Sequence, residues 1–276
     1  MSLTRVATNV NALNALDALT QVNNELGVRQ LRLATGQRIN TAKDDAAGWV
    51  IGKGLEARSR GLAQALNNVG DAQSLLGVAD SGLRSILDIL ITMKEKVTQA
   101  ASDTLGSNER AAVESQLDDL AAEIDSIVAQ TTYNGVALID GTYTSKSFQI
   151  GSETTDTMTV SISSDHAAAS LAVAASDLVV TSASTASTAL SSVNAAIDTV
   201  NSTIRTVGSL AARLDVKAQA LSSIISNTEA AKSQIMDADL AREQLEAVKL
   251  QILQQTATAA LAQANMAPQS VLSLFG

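Results

Sequence analysis

The chain has 276 residues, enough for one or two domains with a sizeable core. It is 46% hydrophobic but only 2% aromatic, with one proline, so Leu, Ile, Val and Ala must fill the core of long helices. A formal charge of -9 supplies no basic stripe for nucleic acid, and the lack of Cys removes disulfides, thiol catalysis and Cys-based zinc sites.

The start, "MSLTRVATNVNALNALDALT", lacks a basic region followed by a continuous apolar run, so no secretory signal is expected. Val6, Val10 and Leu13 share one helical stripe; Leu19, Val22 and Leu26 share another in shifted register. "NTAKDDAAG" then offers Thr41 with Asp44 three residues on, a capping-box spacing that predicts a helix from about residue 45.

That helix carries the strongest pattern. Leu55, Leu62, Val69, Leu76, Leu83, Leu90 and Val97 recur every seven residues. Ala65, Ala72, Ala79, Ile86, Met93 and Ala100 complete an a/d seam, with Arg58 off pattern. Spacings of three and four place these side chains on one face and imply left-handed supercoiling. A helix over 45–100 would be roughly 80 Å long at the usual rise. "DTLGSNER" (103–110) breaks it from a second run, Val113, Leu117, Leu120, Ile124, Ile127. A third runs Leu190, Val193, Ile197, Val200, Ile204, Val207, Ala211, Leu214, Ala218, Leu221, Ile225. One such run could be chance; three mark a helical rod.

Between the second and third runs, Asn134-Gly135 and Asp140-Gly141 are turn dipeptides. Phe148/Ile150 and Met158/Val160/Ile162 alternate as strands joined by "GSETTD", which predicts a β-hairpin near 133–163. The Ser/Thr/Ala-rich stretch 163–188 reads as a surface loop. Near the finish, Leu245, Val248 and Ile252 lie on one face and Leu250, Leu253, Ala257, Ala260 and Ala264 on a neighbouring one. No charged residue occurs from Leu250 to Gly276, yet Val271, Leu272, Leu274 and Phe275 make the end apolar. Six Gln and Asn residues, and an interruption at Pro268, make this stretch too costly to insert in a bilayer, so no membrane insertion is expected. The apolar arc at both ends is wider than one antiparallel partner can cover.

Chemistry-bearing residues are few. His166 is the single His and reads as a loop residue, so no metal, cofactor or catalytic site is expected. "GKG" (52–54) lacks phosphate-loop spacing and reads as a point of close helix packing. Asp44-Asp45, Asp118-Asp119 and Asp237/Asp239 read as caps and solvated faces, and Trp49 as an interface anchor.

Three segments resemble bacterial flagellin: "RLATGQRINTAKDDAAGWVIGKGLEARSRGLAQALNNVGDAQSLLGVADSGL" (32–83), "EIDSIVAQTTYNGVALIDG" (123–141) and "AAKSQIMDADLAREQLEAVKLQILQQTATAALAQANMAPQSVLSLFG" (230–276). The resemblance implies a mainly α fold: a long coiled-coil helical rod with a small β-hairpin, plus paired terminal helices forming a filament-core domain. Expected boundaries are 1–43 and 233–276 for the two halves of the core domain, and 44–232 for the rod with its hairpin and Ser/Thr-rich loop. Filament-core packing is expected of Val6, Val10, Leu13, Leu19, Val22, Leu26, Leu245, Val248, Ile252, Leu253, Leu261, Val271, Leu272, Leu274 and Phe275. The rod seam is expected of Leu55, Leu62, Val69, Leu76, Leu83, Leu90, Val97, Leu117, Ile124, Ile197, Ile204, Leu214 and Leu221.

The resemblance further implies a structural subunit, not an enzyme, without cofactors, whose ends are disordered in the free monomer and pair on polymerisation. Its partners would be copies of itself in a helical homopolymer, the flagellar type III export apparatus, a flagellin chaperone, and the filament cap and hook-associated proteins. It would be secreted into the extracellular flagellar filament. With only 163–188 available for an outer domain, none is expected. Flagellins that activate the animal flagellin-sensing Toll-like receptor carry Arg and Leu where this chain has Thr92 and Lys96, which implies weak activation. The hook–filament junction protein, with the same terminal architecture, is the alternative; "ILQQTATAALAQANMAPQSVLSLFG" follows the flagellin ending more closely.

Overall fold

The computed structural model describes residues 8–272, and side chains through Met266. Helix α1 spans Val10–Thr35, α2 Ala46–Ala100 and α3 Ser107–Gln130. Strands β1 (Thr132–Tyr133) and β2 (Val136–Ala137) form one antiparallel pair, and β3 (Tyr143–Gln149) and β4 (Thr157–Ile162) another. Helices α4 (Ala183–Met236) and α5 (Leu240–Leu272) complete the chain. The fold is mainly α with small antiparallel strand pairs, as the heptads and turn dipeptides predict.

The chain divides into two compact units, one of residues 1–59 with 227–276 and one of 60–226. In the 60–226 unit the a/d positions of α2 from Leu62 to Ala100, including Leu76, Leu83 and Leu90, are buried without exception. Ala65, Ala72 and Ala79 at alternate layers let neighbouring backbones approach closely. On α3 the buried set is Val113, Leu117, Ala121, Ile124 and Val128, with Leu120 and Ile127 beside it.

On α4 the centre of the seam differs from the apolarity-based run. The buried positions are Ala186, Ala189, Val193, Ala196, Val200, Thr203, Val207, Leu210, Leu214 and Leu221. Ile197 and Ile204 lie half-buried on its flank. Ala186, Ala189, Ala196 and Thr203 are among the buried positions, and the bulkier isoleucines pack against the core from beside them. Leu55, by contrast, falls in the other unit and is half-buried.

The β1–β2 turn has Asn134 and Gly135 at φ 51° and 77°, the left-handed pair that a two-residue hairpin requires. In the second hairpin Phe148 pairs with Met158 and Lys146 with Val160, and Tyr143, Met158, Val160 and Ile162 face the core. The 163–188 stretch is not the surface loop expected. Leu171, Val173, Leu178 and Val180 anchor it in the core, and α4 begins already at Ala183. His166 is fully buried: its backbone and ring Nδ1 both donate to the Ile139 carbonyl at 3.1 Å, and Nε2 accepts from the Thr203 hydroxyl at 3.1 Å. Asp125 accepts the Ala168 N–H at 2.8 Å.

Two further polar side chains organise helix ends. Arg110, also buried, donates Nη2 to the Ser102 carbonyl at 2.8 Å and Nε to that of Leu105, which puts a cation on the orphan carbonyls after α2. The N-cap of α2 is Asp45, not Thr41: Asp45 Oδ1 accepts the Gly48 N–H at 2.9 Å. The Thr41–Asp44 spacing instead closes the preceding turn. Asp44 Oδ2 takes the Thr41 N–H at 2.9 Å, and the Asn40 N–H as well. The Thr41 amide hydrogen bond holds the Asp44 carboxyl below the usual carboxylate range.

Candidate assembly interface

The unit built from the two chain ends contains an antiparallel pair, α1 against α5. Along α1 the residues turned inward are Ala12, Ala15, Leu19, Val22, Leu26, Arg29 and Leu33, spaced by threes and fours. On α5 they are Glu243, Ala247, Leu250, Gln254, Ala257, Leu261 and Ala264. Among the described residues, Leu26, Ala247 and Leu250 alone form a buried cluster of this pair, with Val22 and Leu33 packed on it.

Polar rungs fix the alignment. Arg29 Nη1 meets both Glu243 oxygens, at 2.8 and 3.1 Å, and Arg32 Nη1 reaches Oε1 at 3.4 Å. Glu243 is buried although its partners are partly exposed, and both guanidinium groups converge on it to offset that burial. Gln254 donates to Asn23 Oδ1 at 2.7 Å. The rung nearest the ends has a backbone cause. Helix α5 runs through Pro268, which has no N–H to give the carbonyl four residues earlier. That carbonyl, of Ala264, accepts instead from Asn9 Nδ2 at 2.7 Å, while Asn9 Oδ1 caps α1 by accepting the Ala12 N–H at 3.1 Å. Pro268 therefore does not interrupt the helix, as the sequence suggests; a partner side chain repairs the missing bond.

Next to the pair lies a backbone clasp. The Arg38 N–H donates to the Met236 carbonyl at 2.7 Å, the Ala238 N–H to that of Gly36 at 2.9 Å, and Arg38 Nη2 to that of Ile235 at 2.8 Å. Gly36, at φ 71°, ends α1 in the left-handed cap that lets the chain turn into the clasp. Ile39 and Met236 are buried there. A Cβ at Gly52 would run into Met236 Sδ and lie 2.6 Å from its Cγ, whereas at Gly54 it would meet nothing. Of the two glycines of "GKG", one is thus a close approach. Asp239 caps α5 by accepting the Arg242 N–H at 3.2 Å. Trp49 is half-buried with the Lys53 ammonium 5.0 Å above its ring.

The expected packing residues fall into two sets. Leu19, Val22, Leu26 and Leu261 face the helix partner inside the chain. Val10 (49% exposed), Leu13 (52%), Leu245 (73%), Val248, Ile252 (58%) and Leu253 face away from it, joined by Leu16, Val28 and Leu31. Val6, Leu274 and Phe275 lie outside the described residues, and Val271 and Leu272 beyond the last described side chain. Thr92 is exposed on α2 with its hydroxyl donating to the Asp88 carbonyl, and Lys96 is half-buried. Among the described residues no three His, Asp or Glu side chains could hold a metal ion, and no helix is long and apolar enough to cross a membrane. What the paired helices offer is apolar surface facing away from the chain's own core.

Comparison with known proteins gives this surface its context. A family description of the bacterial flagellin N-terminal helical region matches residues 6–144, and one of the C-terminal helical region matches 190–275. Flagellin of Halalkalibacterium halodurans is 32% identical over 244 residues, which cover 88% of this chain and 89% of that protein. Flagellin A of Helicobacter pylori is 41% identical over 162 residues, 58% of this chain; the match spans only 31% of that longer relative. The crystal structure of Bacillus cereus flagellin superimposes with a TM-score of 0.50 at 30% identity, over 60% of this chain and 94% of the other. The match places the chain among proteins built on flagellin's N- and C-terminal helical regions. The chain belongs to the bacterial flagellin family.

Proposed function

We propose that this chain is the repeating subunit of a bacterial flagellar filament, a structural protein that acts by polymerising and not by catalysis. One observation carries the reading: α1 and α5 share a buried cluster of three side chains and turn most of their large aliphatic residues away from it. Helices of 26 and 33 residues need more burial than that to offset their ordering entropy. Neighbouring copies would supply the cover, so that assembly provides the ordering free energy. Val10, Leu13, Leu245, Val248, Ile252 and Leu253 then pack between subunits, together with Val6, Val271, Leu272, Leu274 and Phe275. The residues from 1–43 and 233–276 serve as the filament-core domain and 44–232 as the surrounding rod.

In this reading the chain is secreted, unfolded, through the flagellar type III export apparatus after release from a chaperone. It joins the filament beneath a cap, beyond the hook-associated proteins. With Thr92 and Lys96 in place of Arg and Leu, strong activation of the flagellin-sensing receptor is not expected.

The test is seeded polymerisation of the purified chain by salting-out, followed by negative-stain microscopy. Long uniform tubes are expected; capping of hook ends without elongation would instead indicate the junction protein. Removal of residues 250–276 should leave the 60–226 unit helical by circular dichroism and abolish tubes. Normal tubes from the shortened chain would overturn the role given to the tail.

A further inference from the structure

The 60–226 unit carries an unsatisfied basic ridge and an unsatisfied acidic one on different helices. On α4, Arg213 and Lys217 stand four residues apart, about 6 Å along the axis. They are the only basic pair of the unit with that spacing. Between them Val216 is 66% exposed, more than any other large aliphatic side chain of the unit. Ala212, Ile150 and Met158 complete a shallow groove around these three, with Ile150 and Met158 forming its apolar floor.

On α3, Asp119 and Glu123 repeat the same four-residue spacing and are both exposed. Ser115 and Ala122 beside them are also exposed and have small side chains. None of Arg213, Lys217, Asp119 or Glu123 forms an ion pair among the described residues, whereas Arg84 and Arg110 of the same unit do. One face offers two cations beside an exposed Val in a shallow groove; the other offers two anions on an exposed helix face. A face cannot pair with itself here, since each ridge is of one sign. Joining unlike patches from copy to copy is heterologous and leaves both ends open, the geometry of a growing polymer.

We infer that these two surfaces bind each other between neighbouring copies of this chain, α3 of one subunit seating in the groove lined by Arg213, Val216 and Lys217 of the next. The contact rests on the filament reading and locates a subunit interface outside the paired terminal helices. It brings opposite charges together in a chain whose net charge of -9 otherwise opposes self-association.

A charge-swap experiment tests it. Arg213→Glu/Lys217→Glu and, separately, Asp119→Lys/Glu123→Lys are each expected to raise the critical concentration for seeded polymerisation about tenfold or more, through like-charge juxtaposition. Combined in one chain, the four changes keep the net charge of the wild type and should return that concentration to within about threefold of it. Circular dichroism of each variant should match the wild type, because all four positions lie at the surface. Failure of the combined chain to recover, or wild-type polymerisation by either double variant, overturns the interface. Failure of the wild type itself to polymerise overturns the filament reading and this contact with it.

Discussion

His166 is held as a neutral ring. Burial disfavours its cation and lowers its pKa, outweighing the pull of the Ile139 carbonyl and of nearby Asp165 in the opposite direction. The sign follows directly. Above about pH 6.5 the ring is neutral folded or unfolded; as pH falls below that value the unfolded chain takes a proton that the folded one resists. Stability is therefore present above the unfolded pKa and drains away as pH falls toward the lower folded value. The 60–226 unit of the wild type should melt several degrees lower at pH 5.5 than at 7.5, and the difference should shrink in His166→Gln, which cannot titrate. The carboxylates act in a lower window, near pH 4, and do not mimic this. Nothing local in the sequence marks His166 as structural, since its partners Ile139 and Thr203 are 27 and 37 residues away. Thr203 was equally hidden: a polar residue on a heptad line reads as a break until its partner is known.

Among the elements, α2 was the most legible, because a seven-residue repeat of Leu and Val fixes both its length and its buried face. Leu76 sits at the centre of that face at 1% exposure. Leu76→Asp should destabilise the 60–226 unit by about 3–5 kcal/mol, from lost burial plus an unpaired buried carboxylate. Chemical denaturation monitored at 222 nm checks it, and an unchanged midpoint would put Leu76 on the wrong face. The α4 seam was less legible because the eye follows size. Ala189, Ala196 and Thr203 are the buried positions, while the bulkier Ile197 and Ile204 beside them are only half-buried. The stretch after β4 was misread for a related reason. Its Ser and Thr content suggests solvent, but Leu171, Val173, Leu178 and Val180 are enough to anchor it.

At the scale of the whole molecule, one large core and one three-residue cluster coexist in a single chain. Unfolding should therefore not be two-state. Heating the isolated chain is expected to remove part of the helix signal in a broad early phase, before the cooperative loss of the 60–226 core. Polymerised material should lose both together, at higher temperature. One sharp transition of all the helix signal in the monomer would show that the terminal pair needs no neighbours. The exposed side of that pair was visible in the sequence as an apolar arc too wide for one partner. Its alignment was not, because Asn9 and Pro268 lie at opposite ends of the chain. Their bond carries a consequence for any polymer stacked from such pairs. Sliding one helix past the other by a turn would strand the Ala264 oxygen, at a cost of about 1 kcal/mol or more. Each copy would thereby be keyed to the same depth by an amide standing in for a hydrogen that proline never had.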